Sequence, residues 1–222
     1  MIFNYGSEDK VLESEKERNL YYKFFAGYFF NKLVPGYEER VKGFYELLFQ
    51  KGKDEKNSFG DFKLHDGMVT PSSVYVTFDF HGYLLEGSKD RGELADILIQ
   101  DQKNNLFIAI EAKSLSDWSY EKDIKINSVR IEQLKKHSRN LYQVLLLTDE
   151  KLRNCIEKEG RNNSNWGRIM KYKKDLKLPL RVITWENLFE IRSDQDDNSY
   201  DKVIEFFQKH VKKKRDEFRV YP

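Results

Sequence analysis

Leu94-Ala-Asp96-Ile-Leu-Ile99, then Gln100-Asp-Gln-Lys-Asn-Asn105, then Leu106-Phe-Ile-Ala-Ile-Glu111-Ala-Lys113 is the stretch that decides the fold. Two apolar, β-rich runs around a polar turn predict a hairpin. Side chains two apart on a strand share a face, so Glu111 and Lys113 point one way and Ile108, Ile110 and Ala112 the other. Asp96 interrupts an otherwise apolar strand, and the hairpin can bring it to the same sheet face as Glu111 and Lys113. Adjacent carboxylates suit a hard divalent cation, and a lysine beside them can steer a water or offset negative charge on a phosphate. The pattern points to hydrolysis of a phosphodiester.

Working outward, Ser73–Phe80 is β-branched and aromatic and predicts a strand, with His81-Gly82 turning it toward a short partner at Tyr83-Leu84-Leu85. Before it, helical spacing predicts an aromatic helix over Ser7–Leu33, stopped by Pro35-Gly36. A second helix over Tyr37–Gln50 turns Val41, Phe44, Tyr45 and Leu48 inward, and a polar linker follows at Lys51–Gly60. Beyond the hairpin, a helix is predicted from about Asp123 to Arg139, then the continuously apolar strand Leu141–Leu147. Helices near Lys151–Glu159 and Trp166–Lys173, a strand at Leu180–Thr184, and helices at Trp185–Ile191 and Tyr200–Asp216 complete the chain. The expectation is one α/β domain over residues 1–222 with a mixed sheet, its core at about 7–148 and an α/β extension at 149–222.

At 222 residues the chain is long enough for one sizeable core. Charged residues make up 34%, yet the net charge is only +2, so affinity for a polyanion must come from local patches. A lone Cys155 excludes an internal disulfide, and the four scattered histidines provide no zinc-ligand spacing. Leu20–Val34 is broken by Lys23, Asn31 and Lys32, which fits neither a signal peptide nor a membrane span. An intracellular, cytoplasmic protein without membrane association is expected.

The order helix, three strands, helix, strand, with Asp96 on the second strand and Glu111-Ala-Lys113 ending the third, resembles the PD-(D/E)XK nuclease superfamily over about Ser7–Thr148. The resemblance implies a restriction-endonuclease-like core (αβββαβ), a central mixed β-sheet flanked by helices. It further implies an endonuclease that uses Mg²⁺, with Mn²⁺ as a substitute, to cut DNA in defence, restriction or DNA processing. Asp96 and Glu111 would then be metal ligands, Ala112 a carbonyl ligand, and Lys113 the residue that positions or activates water. At its ordinary pKa of about 10.4 a lysine is a poor base; a metal would depress that value and the two acids would raise it. Ala95 stands where the family's eponymous proline would be.

Three further positions carry two readings each. Glu17 resembles a metal-binding glutamate of the first helix, but it also lies among Glu13 and Glu15 near a helix start, where the dipole favours acids. Glu93 reaches the site face only if Gly92 marks a bulge. Gln133 matches a helix glutamine that contacts water or backbone phosphate in similar proteins, or is a surface polar residue. Trp118 and Tyr120 follow Lys113 and would stack on a base or pack on the helix. Basic residues (Lys122, Lys125, Arg130, Lys135, Lys136, Arg139, Lys171, Lys173, Lys174, Lys177 and Lys212–Arg215) contact phosphates or form solvated faces. Trp185 reads as core. DNA is the expected partner and RNA the alternative, with a homodimer or partner subunit allowed. The rival function is a catalytically silent nucleic-acid-binding or assembly module of the same fold, or an RNA-cleaving effector nuclease.

Overall fold

The computed structural model describes residues 22–49, 71–81, 93–113, 130–136, 140–150, 152, 171, 174–175, 179–196, 200–202 and 204–209. Within them five strands pair in chain order: β1 (Val74–His81), β2 (Glu93–Asp101), β3 (Leu106–Lys113), β4 (Asn140–Leu147) and β5 (Leu180–Thr184). β1, β2 and β3 form an antiparallel meander, and β4 and β5 add parallel to β3. A parallel neighbour demands a crossover, and residues 130–135 of the β3–β4 connection are helical (α3). The architecture is α/β, a five-stranded open mixed sheet flanked by helices. The predicted strand at Tyr83–Leu85 and most of the helices predicted between Lys151 and Lys173 lie outside the described residues.

Register fixes the two faces. Ile97 pairs with Ile110, Ile99 with Ile108, and Ile110 with Val144, and these residues are buried in one hydrophobic cluster with Ala112, Leu146 and Ile183. The helices α1 (Tyr22–Phe29) and α2 (Tyr37–Phe49) belong to that cluster. Burying a side chain the size of Phe or Leu stabilises by roughly 1.5–3 kcal/mol, so this face is the main cohesive element. Asp96, Leu98, Ala109, Glu111, Lys113, Leu145 and Val182 belong to the opposite face by the same register.

The hairpin turn is shorter than expected. Gln100 and Asp101 stay in the ladder, opposite Phe107 and Leu106, and only Gln102–Asn105 turn. Asp101 tolerates full burial because its carboxylate accepts from Ser73 Oγ (2.9 Å), Asn104 Nδ2 (2.7 Å) and the Asn104 amide (3.3 Å). Asn105 closes the turn at φ 47°, a left-handed conformation that asparagine adopts more readily than most residues.

Helix α1 is wound as a π-helix, with the Phe30 amide bonding the Phe25 carbonyl at 2.7 Å. Two ring pairs five residues apart stack, Phe24 on Phe29 at 5.5 Å and Phe25 on Phe30 at 5.7 Å. The wider i→i+5 winding thus aligns on one side aromatics that an ordinary helix would spread around it. Gly36 (φ 76°) turns the chain into α2, and a Cβ there would collide with Ser193. In α2 the predicted inward set Val41, Phe44, Tyr45 and Leu48 is buried, joined by Arg40. Arg40 is fully buried, donating to the carbonyls of Phe29, Val34 and Pro35 and pairing with Asp196.

Trp185 opens α4 (Trp185–Phe189) and is completely buried against Phe25 and Phe207. Thr184 caps this helix: its hydroxyl accepts from the Asn187 amide while Asn187 Oδ1 accepts from the Thr184 amide. Residues 200–202 and 204–209 are also helical (α5).

Candidate active site

The β2–β3 ladder runs from Asp101↔Leu106 to Ile97↔Ile110, so the next positions in register are Asp96 and Glu111. Opposed residues of antiparallel strands project to the same face, which puts the two acids side by side. In a continuous ladder Ala112 would face Ala95; instead the Ala112 amide donates to Asp96 Oδ2 at 2.8 Å. The side chain of one acid is thereby tied to the strand bearing the other. A strand residue turns its C=O to the same side as its N–H, so the Ala112 carbonyl is also directed toward β2.

Glu111 is only 5% exposed. Lys113 Nζ donates to its Oε1 at 2.5 Å, and Arg130 Nη1, from α3, lies 3.5 Å from its Oε2. Burial and then the negative charge of Asp96 push the Glu111 carboxyl up to about 7, against the opposing pull of Lys113 and Arg130. Desolvation and a like charge both disfavour the ionised form. Two cations on the two Glu111 oxygens do not fully compensate for them.

The structure therefore brings Asp96, Glu111, Lys113 and the Ala112 backbone together. Gln133 is partly exposed on α3, where its Oε1 accepts from Lys136 Nζ at 3.3 Å; its described hydrogen bond is with that lysine and not with the acid pair. Lys135 likewise pairs with Glu132 at 2.9 Å. Glu17, Trp118 and Tyr120 lie outside the described residues, as do Lys122, Lys125, Arg139, Lys173, Lys177 and Lys212–Arg215. At Glu93 the β1–β2 register slips, His81 facing Glu93 where Phe80 faces Ala95; the Glu93 side chain is outside the described set. Among the described residues of α3, Arg130, which the sequence showed as one of many basic residues, reaches Glu111.

The donor set suits a hard divalent ion. Two carboxylates and a main-chain carbonyl are oxygen ligands, and a cation between the acids would relieve the repulsion that raises the Glu111 pKa. Among the described residues no group of three or more His, Cys, Asp or Glu side chains converges, and Mg²⁺ commonly keeps several waters in its shell. Among the described residues no helix is long and apolar enough to cross a membrane. No protein-family model matches the chain, and no curated protein and no solved structure matches it either.

Proposed function

We propose that this chain is a Mg²⁺-dependent endonuclease with a restriction-endonuclease-like core that hydrolyses phosphodiester bonds of DNA. The observation that carries the reading is the convergence of Asp96, bonded to the Ala112 amide, with Glu111 and the Lys113 bonded to it. Asp96, Glu111 and the Ala112 carbonyl would hold the metal ion. When bound, that ion supplies charge neutralisation at the phosphate and acidifies a coordinated water. Lys113, a donor with no acceptor while protonated, orients the attacking water and offsets charge that develops on the phosphorus oxygens. Attack in line with the leaving oxygen breaks the P–O bond.

The test is incubation of purified protein with supercoiled plasmid, single-stranded DNA and RNA, with Mg²⁺ or Mn²⁺ and with chelator. Metal-dependent nicking of DNA is expected; absence of metal-dependent cleavage of every substrate refutes the enzyme. One observation favours the second reading, a silent nucleic-acid-binding module: both Glu111 oxygens are engaged by cations. That reading expects DNA binding that survives loss of Asp96 and is indifferent to divalent ions.

A further inference from the structure

We propose that Tyr75 is a stacking platform for an unpaired base, so that the strand presented to the acid pair is single-stranded DNA; the proposal rests on the nuclease reading and names the form of its substrate. Alternation along β1 places Tyr75 on the face that carries the acids. Val74 and Val76 on either side of it turn to the aromatic core. Tyr75 pairs with Gln100 and Thr77 with Leu98, and these partners belong to the Asp96 side of β2. Among the described residues β1 is an edge of the sheet.

Exposure singles this side chain out. Among the described residues two large hydrophobic side chains are exposed, Leu33 at 85% and Tyr75 at 49%. Leu33 belongs to the connection between α1 and α2, where exposure is ordinary, whereas Tyr75 belongs to a strand of the sheet. The accessible part of the acid face follows β1. Tyr75, Thr77, Gln100 and Asp96 keep solvent access, while Leu98, Ala109, Leu145 and Val182 are buried. Gln100 lies four positions from Asp96 on β2, about 13 Å at a rise of about 3.3 Å per residue, so one DNA strand laid along this edge reaches both the ring and the acids. The ring is also held in place: Lys32 Nζ lies 4.9 Å from its centroid, a cation over a π-face that favours one ring orientation. An aromatic face stacks on any base without reading its sequence. A base inside a duplex is stacked between its neighbours and must leave the helix to meet such a ring, so a tyrosine fixed at the rim of the acid face suits an unpaired strand.

The experiment uses the full chain with Tyr75→Ala, Tyr75→Leu and Tyr75→Phe; leucine keeps bulk without a ring in case alanine does not fold, and phenylalanine keeps the ring. Binding of a labelled single-stranded oligodeoxynucleotide, the same strand with its bases removed, and its duplex is measured in Ca²⁺, beside Mn²⁺ affinity by electron paramagnetic resonance. Loss of the ring should weaken binding of the single strand by about tenfold, with Tyr75→Phe within about twofold of the wild type. Affinity for the baseless strand and for Mn²⁺ should not change in any variant. Unchanged single-strand affinity in Tyr75→Ala and Tyr75→Leu overturns the stacking role and leaves the nuclease reading standing. An equal loss on the baseless strand also overturns it, because the ring would then be touching backbone, and so does a wild type that binds the duplex and not the single strand. A wild type that binds neither Mn²⁺ nor any of the three DNAs removes the nuclease reading and this proposal together.

Discussion

Asp96 accepts the backbone amide of Ala112 through Oδ2 at 2.8 Å, so one acid of the candidate site is positioned by the residue next to the other. Two substitutions separate its bond from its charge. Asp96→Asn retains an acceptor and should leave stability within about 0.5 kcal/mol, whereas Asp96→Ala strands the amide and should cost about 1–2 kcal/mol. Both should abolish Mg²⁺-dependent cleavage. Urea melts beside a plasmid assay check the pair, and cleavage surviving in either variant defeats the role given to Asp96.

The raised Glu111 pKa sets a pH window. Its folded-state value of about 7 exceeds the ordinary 4.5, so the native state binds more protons between those values than the unfolded chain does. Metal-free stability should therefore fall as pH rises from about 4.5 to 7, by on the order of 3 kcal/mol from this group. Glu111→Gln should flatten that part of the profile. Divalent-ion affinity, which needs the carboxylate ionised, should rise through the same window. Chelated and Mg²⁺-loaded melts between about pH 5 and 8, the range where the group titrates, measure both effects.

Lys113→Met preserves the stem and removes the charge. The turnover rate should drop about 10²–10⁴-fold, the range for a residue assisting proton or water positioning. Glu111 then loses a cation that lowers its pKa, so Mn²⁺ affinity should also move to higher pH. A variant with normal turnover would show that Lys113 only neutralises Glu111.

Arg40→Met tests the fold independently of the site. Its removal leaves Asp196 without its buried partner and three carbonyls without a donor, and breaking a buried pair costs about 3–5 kcal/mol. Chemical denaturation should show that loss. At low temperature, the folded fraction should still bind Mn²⁺ normally, because Asp96 and Glu111 do not contact Arg40.

The hairpin was legible because alternation and a polar turn are local signals, and the apolar run at Leu141–Leu147 marked a strand buried on both faces. The inward set of α2 followed from helical spacing alone. Other features depend on partners remote in the chain. Arg40 looks like a surface charge until it meets Asp196, 156 residues away. The π-winding of α1 depends on ring stacking that spacing does not encode. Asp101 reads as turn, yet Ser73 and Asn104 draw it into the sheet. Arg130 lies 19 residues beyond Glu111, and nothing in its neighbourhood distinguishes it from the other basic residues. The acid pair was visible as residue types on one face; the bond from Ala112 to Asp96 was not.

Ile110 and Glu111 are consecutive, yet register sends them to opposite faces of β3, one into the aromatic packing and the other to the acids. The sheet thus parts the aromatic rings from the acid pair without leaving the acid side bare, since Leu98, Leu145 and Val182 on that side are buried as completely as Ile97 and Ile110 opposite. A change at Asp96 or Glu111 is therefore felt by a second apolar layer as well as by the acids, while the rings of α1 and α4 lie behind the sheet.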